Sequence, residues 1–348
     1  MAGNSRRGAN KHNTNAKKHK NDEFYTQLSD IEREMKHYRQ HFKDKTVLCN
    51  CDDPRVSKFF HYFSYNFEQL GLRKLIATCY KNQQPDLFSW QNESEKNKAI
   101  YIVYEGDQKG MKIPNIDDME IIHLKGDGDF RSDECIELLK QADIVVTNPP
   151  FSLFREFVAQ LMEYEKKFLI ITNWNAVSYK EIFPLFRQNK IWIGVNSNRD
   201  FDGFIVPPHY PLSGGETRVD EHGNRIVSQN NNCWFTNLDV KKRHEELILY
   251  KKYSEEEYPK FTNYDAINVD QVKNIPVDFD GMIGVPITFM NKYNPNQFQI
   301  VDANDIRISQ HVPFKAHGLI KDKEGTVIGE SKPKYVRMVI KHKKEEEE

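Results

Sequence analysis

The stretch "DIVVTNPPFSLFREF", residues 143–157, decides how the rest of the chain is read. Ile144, Val145, Val146 and Thr147 form a short apolar, β-branched run of the kind that fills a buried strand. Asn148, Pro149, Pro150 and Phe151 follow at once, and a helix-like pattern resumes after them. Two prolines remove two backbone donors and lock the direction of the chain. Such a turn, at the carboxyl end of a core strand, fixes the side-chain oxygen of Asn148 and the carbonyl oxygens of Pro149 or Pro150. The flat face of Phe151 stands beside them. Two converging acceptors and an aromatic plate make a receptor for an amino group on a planar ring. Accepting hydrogen bonds from an amine orients its lone pair. No strong base is required, because the proton can leave after attack. The plainer reading is an ordinary strand-to-helix turn, since Asn-Pro alone is a weak signal. The full arrangement of strand, Asn-Pro-Pro-Phe and helix is a stronger one.

Working upstream, "KTVLCNC" (45–51) predicts a strand and "DDPRVSKFFHYFSYNFEQLG" (52–71) a helix. Asp53 is placed to cap that helix, Pro54 to begin it and Gly71 to stop it. Val56, Phe59, Phe60, Phe63, Phe67 and Leu70 make its core stripe. "KLIATCY" (74–80) is the next strand, and residues 81–98 are a polar excursion. "AIYIVYEG" (99–106) is a strand, or half of a hairpin inserted with 99–122. "GDGDFRS" (126–132) is a turn and 133–141 a short helix. Before all of these, Leu28, Ile31, Met35 and Tyr38 recur at helical spacing. Downstream come a helix at 152–164, the strand "KFLIITN" (167–173), the helix "YKEIFPLFRQN" (179–189) and the strand "KIWIGV" (190–195). A polar segment, 207–230, leads to a last strand, "NCWFTNL" (232–238). Strands alternating with helices predict an α/β fold with a doubly wound, mostly parallel sheet, and ligands of such sheets bind at the carboxyl ends of strands. After residue 240 the pattern becomes less regular.

The chain has 348 residues, 38% of them hydrophobic, enough for one large domain or two smaller ones. The net charge is −1, but the ends are basic. Residues 1–20 carry six Lys or Arg and no acid, and 331–344 carry six more before a run of four glutamates. Basic ends suit a polyanionic partner; taken alone, residues 1–20 read as a solvated, disordered tail. Five cysteines fit no disulfide framework in a chain this long, and no Cys/His cluster has zinc spacing, so reduced cysteines and no metal are expected. No apolar run is long enough for a membrane, and no apolar core follows the basic N-terminus as in a signal peptide. A soluble, cytoplasmic protein is expected.

Strand-Asn-Pro-Pro-aromatic resembles the signature of amino methyltransferases that use S-adenosylmethionine. The wider sequence resembles one family, the EcoRI-type adenine-specific DNA methyltransferases. The residues that carry this are "DEFYTQ" (22–27), "CNCDDPRVS" (49–57), "GDGDFRS" (126–132), "DIVVTNPPFSLFRE" (143–156), "KKFLII" (166–171), "KIWIGV" (190–195), "GFIVP" (203–207), "YDAINV" (264–269) and "GVPITF" (284–289). The likeness runs from about residue 20 to about residue 300.

The resemblance implies a seven-stranded methyltransferase-like sheet over 21–240 and a C-terminal DNA-recognition elaboration over 241–348. It implies methyl transfer from S-adenosylmethionine to the 6-amino group of adenine in a specific duplex DNA site, with the base flipped out of the stack. The catalytic set is then Asn148, Pro149, Pro150 and Phe151, with Asn148 and Pro149 accepting from the amine and Phe151 stacking on the ring. Phe24, Tyr25 and Thr26 match the segment that lines the methionine end of the cofactor. Asp129 and Phe130 match its adenine contact, although Gly-Asp-Gly-Asp is also common turn chemistry. The run Asn50, Cys51, Asp52, Asp53 stands where a glycine-rich loop is the general pattern, and it has no glycine. Asp52 or Asp53 would take the cofactor's ammonium group, unless Asp53 only caps the helix. No acid ends the second strand to hold the ribose; Cys79 and Tyr80 stand there. "NSNRDFDG" (196–203) and the region after 240 would read DNA, and Phe201 or Phe204 would sandwich the flipped base, core packing weighing equally for Phe204. Double-stranded DNA is the implied partner, with a cognate restriction endonuclease, GAATTC as candidate site and a monomeric state as further expectations. The same turn would also serve an RNA or protein-glutamine methyltransferase. A non-catalytic binding protein would more naturally have lost the intact turn, and no carboxylate cluster suits a nuclease.

Overall fold

The computed structural model describes residues 25–51, 53–80, 99–106, 119–197, 200–206, 217–228, 231–261, 265–301, 314–315, 319–321, 327–330 and 336–343. The basic tail 1–20, Phe24, Asp52 and the polar excursion 81–98 lie outside the described residues. Spatial contacts divide the chain into two compact units, 1–174 with 194–238 and 175–193 with 239–348.

The described part of the first unit opens with β1 (Tyr25–Thr26) and α1 (Leu28–Met35). Ile31 and Met35 on α1, with Tyr38 and Phe42 beyond it, are fully buried, as their spacing requires. The apolar runs then become strands: β2 (Thr46–Cys49), β3 (Lys74–Thr78), β4 (Ile100–Tyr104), β5 (Ile121–His123), β6 (Ile144–Thr147), β7 (Lys167–Asn173), β8 (Trp192–Ser197), β9 (Phe204–Val206), β10 (Thr217–Val219), β11 (Arg225–Val227) and β12 (Asn232–Thr236). Eight of them form one sheet in the order β5-β4-β3-β2-β6-β7-β12-β8. The central four, β3, β2, β6 and β7, run parallel, with Cys49 opposite Ala77, Leu48 opposite Val145 and Thr147 opposite Ile170. On one side β4 and β5 add antiparallel, and on the other β12 pairs antiparallel with β7. The chain moves outward one way from β2 to β3 and the other way from β6 to β7. The order therefore reverses between β2 and β6, the point of such sheets at which ligands bind outside the carboxyl ends of the strands.

The sheet has eight strands where seven are expected. The additional one is β5, which returns antiparallel to β4, so 99–122 adopts the hairpin reading. The polar segment 207–230 contains a second hairpin, β10–β11, which joins β9 and β1 in a separate four-stranded sheet. Its three-residue strands leave Arg218 and Val219 exposed and show no apolar run. The helix expected over 52–71 is two pieces, α2 (Lys58–Tyr65) and α3 (Phe67–Leu70). Ser57, not Asp53, caps α2 by accepting from Phe60 N. Asp53 instead closes the preceding turn, its side chain accepting from Arg55 N at 2.9 Å and its carbonyl from Ser57 N at 2.7 Å. The helix α4 (Asp133–Gln141) forms as read, capped by Ser132, and α5 (Phe154–Glu163) follows the Asn-Pro-Pro-Phe turn. Only Phe183–Arg187 of the segment 179–189 is α-helical, as α6, because Pro184 fits only in the first turn.

β8 is the outer strand, and its open edge meets a side chain. Val195 N and Asn196 N donate to the Glu34 carboxylate at 2.8 and 2.7 Å, joined by Asn196 Nδ2 and Tyr38 Oη. Burial pushes the Glu34 pKa up, and these four donors pull it back.

In the second unit, β13 (Ile267–Asn268) runs parallel to β14 (Ile283–Pro286), and β15 (Phe298–Ile300) follows. After β16 (Phe314–Lys315), β17 (Leu319–Lys321) and β18 (Val327–Glu330) pair as a hairpin. The long β19 (Val336–His342) receives β14, β15 and β16 antiparallel. Phe261, Ala266, Val301 and Val339 pack together in this unit. Among the described residues no helix is long and apolar enough to cross a membrane.

Candidate active site

At the end of β6, Thr147 and Asn148 are buried, and Thr147 Oγ1 donates to the Asn50 carbonyl. That bond ties the carboxyl end of β6 to that of β2 across the point where the strand order reverses. Pro149 is buried and Pro150 half-buried. The Pro150 carbonyl closes the turn by accepting from Leu153 N at 3.1 Å. A carbonyl so engaged is the poorer of the two proline acceptors for an incoming amine. Phe151 is half-buried, and its ring meets the edge of Phe204 at 6.4 Å. Phe204 is fully buried and lies 6.3 Å from Phe201, which stacks on Trp234 at 6.1 Å and 23°. Phe204 is therefore a core residue that backs Phe151, and Phe201 has Trp234 against its ring.

The run after β2 has no glycine, yet it adopts a glycine conformation. Cys51 has φ +83°, in the left-handed region. A side chain there costs roughly 1–2 kcal/mol, and such strain gathers at functional turns. Beside it Asn50 is buried, and its Oδ1 has no hydrogen-bond partner among the described residues. The same is true of Thr26 Oγ1 on β1, whose strand partner is Phe204. A buried polar atom left unpaired costs about 1–3 kcal/mol, so these two suit a polar ligand that pairs them. Trp174 Nε1, just past β7, is a third such atom, and sequence reasoning missed it. The signal available was its position, next to the end of a parallel strand.

Asp129 and Phe130 sit where the turn 126–130 meets the end of β3, since Gly128 packs on the Cys79 carbonyl. Phe130 is buried with its ring 5.1 Å from Phe157 of α5, and its carbonyl accepts from Gln160 Nε2. Asp129 is gripped by Arg131, which accounts for its lowered pKa, and Arg131 also pairs with Glu156 at 2.7 Å. Asp53 is held by Arg55 in the same Asp-X-Arg pattern. The sequence reading missed both arginines. The structure thus joins Asn50 to Thr147, next to Asn148, and Thr26 and Phe151 to Phe204. It sets Asp129 and Phe130 against α5, the helix that follows the turn.

The family model described as the adenine-specific methyltransferase EcoRI matches residues 12–343. Among curated relatives, the Type II methyltransferase M.EcoRI of Escherichia coli is 53% identical over 318 residues, covering 89% of this chain and 96% of that protein. The Type II methyltransferase M.MgeORF184P of Mycoplasma genitalium is 40% identical over 343 residues, 95% of this chain and 98% of that protein. The Type II methyltransferase M.MpnI of Mycoplasma pneumoniae is 38% identical over 335 residues, 94% and 97% respectively. No solved structure matches the chain significantly.

Proposed function

Because this chain belongs to the family of the adenine-specific methyltransferase EcoRI, we propose that it transfers the methyl group of S-adenosylmethionine to the 6-amino group of adenine in a specific site of duplex DNA. The observation that carries the reading is the Asn148–Phe151 turn, set at the end of a parallel strand where the sheet order reverses. The adenine amine is paired inside a duplex, so the base leaves the stack before it reacts. Asn148 and the Pro149 carbonyl accept the two amine hydrogens and direct the nitrogen lone pair. Phe151 stacks on the ring, a contact worth about 1–3 kcal/mol per base in other proteins. As charge develops on the nitrogen, the same two acceptors stabilise it without moving. The proton leaves after the bond has formed, so the turn carries no strong base.

S-adenosylmethionine supplies an electrophilic methyl group on a sulfonium centre. The buried, unpaired Asn50 Oδ1 and Thr26 Oγ1 fit its amine and hydroxyl groups. Tyr25, the Cys51 backbone and Asp53 complete the methionine side of that proposal, with Asp129 and Phe130 on the adenine side. The region 241–348, with 196–203, reads the DNA sequence. The relatives' names, Type II methyltransferase, support a modification role. An endonuclease that cuts the same site when unmodified, and a monomer acting on duplex DNA, are the further parts of this proposal. To test this, the pure protein is incubated with methyl-labelled S-adenosylmethionine and with duplexes carrying GAATTC or permuted sites, followed by nucleoside analysis. Label in N6-methyldeoxyadenosine from one site supports the reading. Label only in RNA or in protein glutamine, offered in parallel, overturns it.

A further inference from the structure

Helix α1 and the loop that leads into β9 are joined by an unusual density of polar bonds. Asp30, 2% exposed, accepts from Asp202 N with both carboxylate oxygens, at 2.9 and 3.2 Å. Arg33 Nη1 donates to Asp30 Oδ1 at 3.1 Å and to the Asp200 carbonyl. Its Nη2 donates to Asp202 Oδ2 at 3.0 Å, an oxygen that also accepts from Ser29 Oγ at 2.6 Å. Gln27 Nε2 reaches the Gly203 carbonyl at 2.9 Å, and Arg218 reaches that of Asp202. A lone exposed ion pair would contribute little. Here a single guanidinium bridges a buried carboxylate, a second carboxylate and a backbone carbonyl, and the planar fork fixes all three together.

The segment so held carries Phe201 and Phe204, and Phe204 is the ring against which Phe151 rests. We propose that Arg33 is a positioning residue for methyl transfer: by bridging Asp30 and Asp202 it fixes the 200–204 segment, and through Phe204 it fixes the ring on which the target adenine stacks. The last clause rests on the function proposed above. Arg33 touches no reacting atom. It limits where Phe151 can go, and loosening it lowers the fraction of time the flipped base is held for attack.

The test has two arms. In the first, hydrogen exchange of the 200–206 backbone is compared in the full-length wild-type, Arg33→Ala, Asp202→Asn and Arg33→Lys proteins. Exchange at least tenfold faster in the first two variants, partly restored in Arg33→Lys, is expected. In the second, turnover and DNA affinity are measured, with 2-aminopurine at the target position reporting the flipped base. Turnover and the flipped-base signal fall tenfold or more in Arg33→Ala and Asp202→Asn, DNA affinity stays within threefold, and the double variant is no worse than either single. Asp202→Asn keeps the shape and the Arg33–Asp30 pair, so it serves where Arg33→Ala does not fold. Unchanged exchange overturns the clamp. Faster exchange with turnover and flipping within twofold of wild type makes it merely structural and overturns its part in transfer. Should the wild-type protein methylate no adenine, the function itself falls, and the exchange arm alone decides the clamp.

Discussion

Replacing Gly128 by alanine tests the close approach on which the placement of Asp129 and Phe130 depends. Gly128 has φ +78°, and a Cβ there would lie 2.2 Å from the Cys79 carbonyl oxygen and 2.8 Å from the Ala99 Cβ. The Cys79 carbonyl cannot give way easily, because its residue continues the β3–β4 ladder, Cys79 N donating to the Ile100 carbonyl at 3.1 Å. The turn itself must move. Left-handed backbone with a side chain costs roughly 1–2 kcal/mol, and overpacking adds roughly 1–3, so Gly128→Ala should lose about 2–5 kcal/mol. The molecule contains its own control. Gly223 has φ +80°, and nothing lies within 4 Å of a Cβ built there. Gly223→Ala should therefore show the backbone penalty alone, about 1–2 kcal/mol. Urea unfolding of both variants, with slopes compared, isolates the packing contribution. Titration calorimetry with S-adenosylmethionine then asks whether the displaced turn also weakens cofactor binding, which Gly223→Ala should leave alone. Equal unfolding midpoints for the two variants would show that the turn does not press on Cys79 and would refute the reasoning.

Asn148→Ala should bind S-adenosylmethionine normally and lose about 100- to 1,000-fold in turnover, the loss seen when one preorganised polar group is removed from a transition state. Near-normal turnover in steady-state assays contradicts its role. Cys51→Gly should be more stable than Cys51→Ala in thermal unfolding, by roughly 1 kcal/mol, because alanine keeps the left-handed strain while glycine's extra chain entropy offsets part of the relief. The reverse order would remove the strain from the account. Burial, helped by the neighbouring Asp202 carboxylate and opposed by the Asp202 N–H and Arg33, raises the Asp30 pKa from 3.8 to about 7. A group raised on folding stabilises below its unfolded pKa and loses that contribution as pH rises through the folded value, so Asp30 costs stability as pH climbs from 4 toward 8. Asp30→Asn, which cannot ionise, should gain on the wild type by up to about 4 kcal/mol over that range, and a difference that stays constant from pH 5 to pH 8 counts against it.

Much of the sheet is written in local runs. Ile144–Thr147, Leu75–Thr78 and Phe168–Thr172 are buried at every position, and a continuous apolar segment says so directly. The hairpin at 217–227 left no such mark, because half of its residues face solvent. At the helix start two residues compete. Asp53 and Ser57 both suit a cap, and the short-range turn between Asp53 and Arg55 gives the cap to Ser57. Within the site, the Asn-Pro-Pro-Phe turn was legible because its backbone rigidity is in the residues themselves. The conformation of Cys51 was not, since a cysteine carries no sign of positive φ. Asp30 and Glu34 were also hidden. They share a buried face with Ile31 and Met35, but on sequence alone an acid in an amphipathic helix reads as solvated. What keeps them inside, besides the local donors Tyr38 and Arg33, is a set of donors more than 160 residues away.

That separation bears on the order in which the molecule forms. Glu34 and the strand it closes are 161 residues apart, and Asp30 and its loop 172. The segment 25–35 leaves the ribosome early, but an eight-residue helix is not stable alone in water. Its acids have only their local donors, Tyr38 and Arg33, until 194–203 has been made, and β1 has no described strand partner until β9 exists. Contacts this distant in sequence carry a large loop-closure cost and form slowly. A nascent chain ending before residue 194 therefore holds this helix without the donors of 194–203 for its buried acids, and the first described strand of the fold is among the last to be fixed.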